Sequence, residues 1–186
     1  MSRYLAYLIA LLCMLVPQWS AAVPLSPDEE SSIAHTYGCV VSDDRCVVTR
    51  CQGGKLDDFS QAARILYTKH IQVVIDGPMY SACVVGADQL LGIARAVHAR
   101  GGVSVQDVIC VTDRAQFGFH EGYMDHHDVR IFVPLEFKND DIRAWVAANA
   151  PMPQSTDLRD AKMMDTGGII RIWPHCSNQN AHRINQ

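Results

Sequence analysis

Three groups of residues could act together on a carbonyl. Ser81 follows the apolar run Ile71 to Ile75 and the Gly77-Pro78 turn, and it opens a stretch of small, apolar residues. His120 closes the short apolar run Phe117-Gly118-Phe119, and Gly53-Gly54 separates a β-prone run from a helix start. A serine hydroxyl becomes a strong nucleophile only beside a base, and the tetrahedral oxyanion it creates needs N–H donors already in place. A glycine pair ahead of a helix can present such N–H groups. Each residue also has a simpler reading: Gly53-Gly54 as a turn, Ser81 as a helix N-cap and His120 as a structural histidine.

The elements that would carry these groups follow from periodicity. Short β-prone runs cover Thr36–Ser42 and Arg45–Cys51, with Asp43-Asp44 as the turn between them. Phe59, Ala62, Ala63, Leu66 and Tyr67 recur at helical spacing behind Asp57 and Asp58. Ile71 to Ile75 reads as a strand covered on both faces, and Ser81 to about Ala99 as a buried helix stopped by Arg100-Gly101-Gly102. Val105 to Val111 and Gln116 to Phe119 are the next strands, and Glu121 to Asp128 is a polar loop. Asn139-Asp140-Asp141 caps a helix through Ala148, Thr156 to Met164 is a short helical stretch, and Ile169 to Trp173 is a last strand. Alternating strands and helices predict an α/β domain with a mostly parallel sheet. Trp145 and Trp173 are assigned to its core.

The chain has 186 residues, 48% of them hydrophobic and 19% charged, which suits one domain and excludes a disordered chain. Arg3, the apolar run Tyr4 to Val16, Pro17 and Ser20-Ala21-Ala22 read as a cleaved secretory signal over residues 1–22. The run is too short for a spanning helix, so no stable membrane insertion is expected after cleavage, and the product is secreted or periplasmic. Residues 23–35 read as a mobile lead-in, 36–176 as the folded domain and 177–186 as a polar tail. The net charge of −4 becomes −5 once Arg3 is removed, leaving no basic field for nucleic acid. Removal of Cys13 leaves Cys39, Cys46, Cys51, Cys83, Cys110 and Cys176, an even set that predicts disulfides in an exported protein. Cys83 with Cys110, joining a helix to the next strand, is the preferred bridge, and Cys176 is expected to pair with Cys39, Cys46 or Cys51.

The ordered motifs Gly53-Gly54, Gly77-Pro78-Met79-Tyr80-Ser81 and Ala115-Gln116-Phe117-Gly118-Phe119-His120 resemble those of the Clp-type serine peptidases of the ClpP/crotonase fold. The likeness is greatest to small exported relatives without an ATPase partner, and it covers roughly Val40 to Trp173. The stretch from Ser81 to His120 is longer than in compact family members, with Arg100 to Gln106 as the insertion. The resemblance implies a ClpP/crotonase-like fold of repeated strand–turn–helix units. It makes Ser81 the nucleophile and His120 the general base, within hydrogen-bonding reach of each other. It places the oxyanion donors at the backbone N–H groups of Gly53 or Gly54 and of Ala82. The third triad position falls at Asp157, with Asp160 as the alternative, and both also read as surface or helix-start acids.

The expected function is an exported serine hydrolase, a peptidase by resemblance, that attacks a peptide or ester carbonyl through an acyl-enzyme and needs no cofactor. A homo-oligomer is the family's frequent habit. Two rivals stand beside this reading. One is a catalytically idle ClpP-like module that binds peptides or assembles with partners. The other is a metal-binding protein using His120, Glu121, Asp125, His126, His127 and Asp128, although Met124 occupies the position where a zincin helix needs its second histidine.

Overall fold

A computed structural model describes residues 23–126 and 129–176. The expected signal sequence and polar tail lie outside the described residues, as do His127 and Asp128 of the histidine-rich segment.

The first helix, α1 (Pro27–Tyr37), begins inside the segment expected to be a mobile lead-in. Ser26 and Glu29 form a capping box: the Glu29 N–H donates to Ser26 Oγ at 3.2 Å, and the Ser26 N–H donates to Glu29 Oε2 at 2.8 Å. Pro27 occupies the first turn, where its missing N–H costs nothing, and Gly38 closes the helix in the left-handed region. Ile33 and Tyr37 are fully buried, so this helix belongs to the core and the lead-in is corrected.

The chain then forms β1 (Val41–Ser42) and β2 (Arg45–Val48), joined by Asp43-Asp44 with both residues at positive φ. Next come α2 (Leu56–Thr68), β3 (Gln72–Ile75), β4 (Pro78–Tyr80) and α3 (Ala82–His98). A single turn, α4 (Val105–Val108), precedes β5 (Ile109–Val111) and β6 (Gln116–Phe119). The hairpin β7 (Gly122–His126) and β8 (Val129–Val133) leads to α5 (Asp140–Ala148), β9 (Lys162–Met164) and α6 (Thr166–Ile172).

Five sequence expectations change here. Thr36 and Tyr37 of the first β-prone run belong to α1, which leaves only Val41–Ser42 as strand. The expected helical stretch Thr156 to Met164 instead holds a 3₁₀ turn at Leu158–Asp160 and the strand β9. Val105–Val111 divides into a helical turn and a strand, because Gln106 and Asp107 interrupt the apolar run. The segment expected to be a polar loop after Glu121 contains β7, which pairs antiparallel with β8 through Met124↔Ile131 and Asp125↔Arg130. The last expected strand is α6, in which Gly168, Ile169 and Ile172 are buried at helical spacing and the Asp165 carboxylate caps the Gly168 N–H at 2.6 Å.

The strands form a mixed α/β architecture. One sheet runs β1-β2-β3-β5, with β1 antiparallel to β2, and β2, β3 and β5 parallel. A second sheet runs β4-β6-β9, with β4 parallel to β6 and β6 antiparallel to β9. The chain passes repeatedly from the first sheet to the second: Cys51 bridges Met79 after β2, β4 follows β3, and β6 follows β5. At the middle crossing an ideal Cβ on Gly77 would lie 2.0 Å from the Thr49 carbonyl oxygen, so only glycine lets the backbones pass.

The core buries the first half of α3 between the sheets and helices, with Val84, Leu90 and Leu91 fully covered. Phe117 stacks on Trp173 at 4.3 Å, and Trp145 is half-buried against Phe119. Asp88 is a buried acid on α3 that accepts from the Lys138 and Asn139 N–H groups and so pins the segment entering α5. Burial pushes its carboxyl above the ordinary carboxylate range, against the lowering effect of those two N–H groups.

All six expected cysteines form disulfides, but not in the expected pairs: the bridges are Cys39–Cys46, Cys51–Cys83 and Cys110–Cys176. Cys83 cannot serve Cys110, because its position in the first turn of α3 faces the segment that follows β2. Cys110 instead shares a separate small cluster with Val74 and Cys176. Three bridges fit an oxidising compartment. Among the described residues no helix is long and apolar enough to cross a membrane.

Candidate active site

Ser81 is the single residue between β4 and α3. Its backbone takes φ 54° and ψ −122°, the values of the first central residue of a type II′ turn, a position dominated by glycine. The other non-glycine residues at positive φ, Asp43, Asp44 and His70, lie in turns between elements. Ser81 makes no side-chain capping bond, so its hydroxyl is not engaged as an N-cap. The surrounding backbone holds it in place. The Ser81 N–H donates to the Gly118 carbonyl at 3.1 Å, and the Ser81 carbonyl accepts from Val84 and Val85. A strained strand-to-helix turn that leaves a serine Oγ unengaged is the geometry by which nucleophile elbows present their nucleophile.

Gly53 lies directly against this turn. An ideal Cβ there would sit 3.3 Å from Ser81 Cβ and 3.8 Å from Ser81 Oγ, and its φ of 101° is itself unfavourable to any side chain. The Gly53 N–H donates to Cys83 Sγ at 2.9 Å. The N–H groups of Gly54 and Ala82 have no protein partner among the described residues. Of the two glycines, Gly54 therefore has the N–H available to a ligand.

His120 is buried immediately after β6. Because Tyr80 pairs with Gly118, Ser81 and His120 leave neighbouring strand ends of one sheet. The ring Nδ1 lies 2.7 Å from the Glu121 carbonyl oxygen. A carbonyl only accepts, so this bond requires the proton on Nδ1 and leaves the Nε2 lone pair free. Nε2 is buried and has no hydrogen-bond partner. The expected direct Ser81–His120 hydrogen bond is thus not made: the ring is held by Glu121, and Ser81 Oγ has no bond that turns it toward Nε2. Such catalytic contacts are commonly long before substrate binds.

The structure does not bring either expected acid to the His120 ring. Asp157 caps the 3₁₀ turn Leu158–Asp160 and receives the Arg159 guanidinium, which holds its carboxyl well below the usual range, at about 2. Asp160 accepts from Ser155 Oγ at 2.6 Å. The place an acid would fill beside Nδ1 belongs to the Glu121 carbonyl. Asp157→Asn is accordingly expected to leave the reactivity of Ser81 within about twofold of the parent, measured as the rate of fluorophosphonate labelling.

Beside His120 opens a cleft of about 190 Å³, lined mainly by apolar groups that include Leu135, Phe137, Val146 and Met152. Among the described residues no group of three or more His, Cys, Asp or Glu side chains is placed to hold a metal ion. Two features of the site escaped the sequence reading. A backbone carbonyl as the histidine's partner leaves no side-chain signature. The Cys51–Cys83 bridge left one, since each cysteine lies two residues from a site residue, Gly53 and Ser81 respectively.

Comparison with family models, curated proteins and solved structures finds no match to this chain.

Proposed function

We propose that this protein is an exported serine hydrolase of ClpP/crotonase-like architecture, acting in a secreted or periplasmic setting on peptide or ester carbonyls. The observation that carries the reading is the backbone of Ser81, held at φ 54° and ψ −122° with its hydroxyl uncommitted. A serine gains nothing for stability in a glycine-favoured conformation, whereas a nucleophile gains presentation. The repeated passage from first sheet to second, with Gly53 packed against Ser81 and a histidine at the adjacent strand end, supports the same reading.

In the proposed reaction Ser81 Oγ adds to the carbonyl carbon as His120 Nε2 takes the hydroxyl proton. The oxyanion is received by the N–H groups of Gly54 and Ala82. Collapse of the tetrahedral intermediate returns that proton to the leaving amine or alcohol and leaves an acyl-serine. Water, deprotonated by Nε2, then adds to the acyl carbon, and the acyl–Oγ bond breaks as Nε2 passes that proton to Ser81 Oγ and the acid is released. The Glu121 carbonyl keeps the reactive tautomer, which makes this a Ser–His dyad. The apolar cleft beside His120 favours substrates with an apolar side chain next to the scissile carbonyl.

Fluorophosphonate labelling of the folded protein tests the proposal, since only an activated serine is phosphonylated. Covalent labelling is expected. A folded protein that stays unlabelled at every pH would favour the idle, peptide-binding alternative.

A further inference from the structure

The three disulfides occupy different places relative to the site. Cys39–Cys46 closes the hairpin region of β1 and β2, and Cys110–Cys176 ties β5 to the segment after α6. Cys51–Cys83 alone joins the segment entering Gly53-Gly54 to the first turn of α3, two residues beyond Ser81.

Cys51 is tied into the second sheet by its N–H to the Pro78 carbonyl at 2.9 Å and by its carbonyl to the Tyr80 N–H at 3.0 Å. Beyond it, Gln52, Gly53 and Gly54 make no backbone–backbone hydrogen bonds among the described residues. What fixes this glycine segment is the Gly53 N–H donated to Cys83 Sγ, a sulfur of the bridge itself. Both cysteines are buried, so the bridge is a fixed internal strut.

Resting on the serine-hydrolase reading, we infer that the Cys51–Cys83 disulfide is the positioning element of the oxyanion site. It holds the Gly53-Gly54 segment against Ser81 and, by engaging the Gly53 N–H, leaves the Gly54 N–H as the donor that meets the oxyanion. Neither cysteine touches substrate. The bridge acts through the backbone it orients, and its loss lowers turnover because an oxyanion donor matters most in the transition state.

The test compares fluorophosphonate labelling rates, and kcat and KM on an apolar p-nitrophenyl ester, for the parent and three double variants. These are Cys39→Ala/Cys46→Ala, Cys51→Ala/Cys83→Ala and Cys110→Ala/Cys176→Ala. All are measured below the melting temperature of the least stable, with near-UV circular dichroism as the check on folding. The Cys51/Cys83 pair is expected to lose tenfold or more in labelling rate and in kcat, with KM within threefold, while the other pairs stay within threefold in every parameter. If the alanine pair does not fold, Cys51→Val/Cys83→Ala refills the buried volume and is read in the same way. Independently, Gly54→Pro, which deletes the assigned N–H with the bridge intact, should lower kcat at least tenfold. A labelled parent whose folded bridge variant reacts within threefold of it overturns this inference and leaves the hydrolase reading standing. An unlabelled parent overturns both.

Discussion

Ser81→Gly is expected to make the protein more stable while abolishing its covalent reactivity. At φ 54° and ψ −122° a side chain crowds its own backbone, and such conformations cost on the order of 1–3 kcal/mol for a non-glycine residue. Glycine removes that strain but adds about 0.5–1 kcal/mol of unfolded-state entropy, so the net gain should be near 1 kcal/mol. Ser81→Ala keeps the Cβ and hence the strain, so its stability should match the parent's. Both variants lack the nucleophile and should show no labelling. Urea denaturation of the three proteins checks the order, with glycine most stable and alanine and serine equal. A serine serving as an ordinary helix cap would instead be the most stable of the three, with glycine a few tenths and alanine about 1 kcal/mol below it.

His120→Ala is expected to reduce the labelling rate by roughly 10²–10⁴-fold, the range that general-base assistance contributes. The ring is buried, its Nδ1 is bonded to the Glu121 carbonyl and its Nε2 is unpartnered, so Nε2 is uncommitted and open to the Ser81 proton. Stopped-time labelling of folded parent and variant measures the effect. Equal rates for the two proteins would mean that another base serves Ser81. The contrast with Asp157→Asn separates a dyad from a triad, since Asp157 is bonded to Arg159 and not to the ring.

Much of the scaffold was legible because burial imposes a period. Phe59, Ala62, Ala63 and Leu66 announce α2, and the unbroken burial of β3 follows from its cover on both faces. The turn at Asp43-Asp44 and the cap at Asn139 were equally plain, since the chemistry of those residues is local. The failures have local causes too. The Ser26-Pro27-Asp28-Glu29 start signal was hidden in a segment whose composition looked like a linker. Ile169 to Trp173 is β-branched and apolar enough to pass for a strand, yet the Asp165 cap and burial of Ile169 and Ile172 make it a helix. At the candidate site, the placing of Gly53, Ser81 and His120 at element ends was readable, because each follows or precedes a run whose period is visible in the sequence. The pairing of six cysteines and the partner of His120 were not, because both depend on which backbone segments cross in space.

The central claim is that Ser81 is an activated nucleophile, and the most direct measurement locates the adduct. The folded parent is treated with a fluorophosphonate, weighed intact, digested and sequenced by tandem mass spectrometry. The account predicts one phosphonyl group per chain, carried by Ser81. An adduct on any other residue, or a folded chain of unchanged mass, would contradict it.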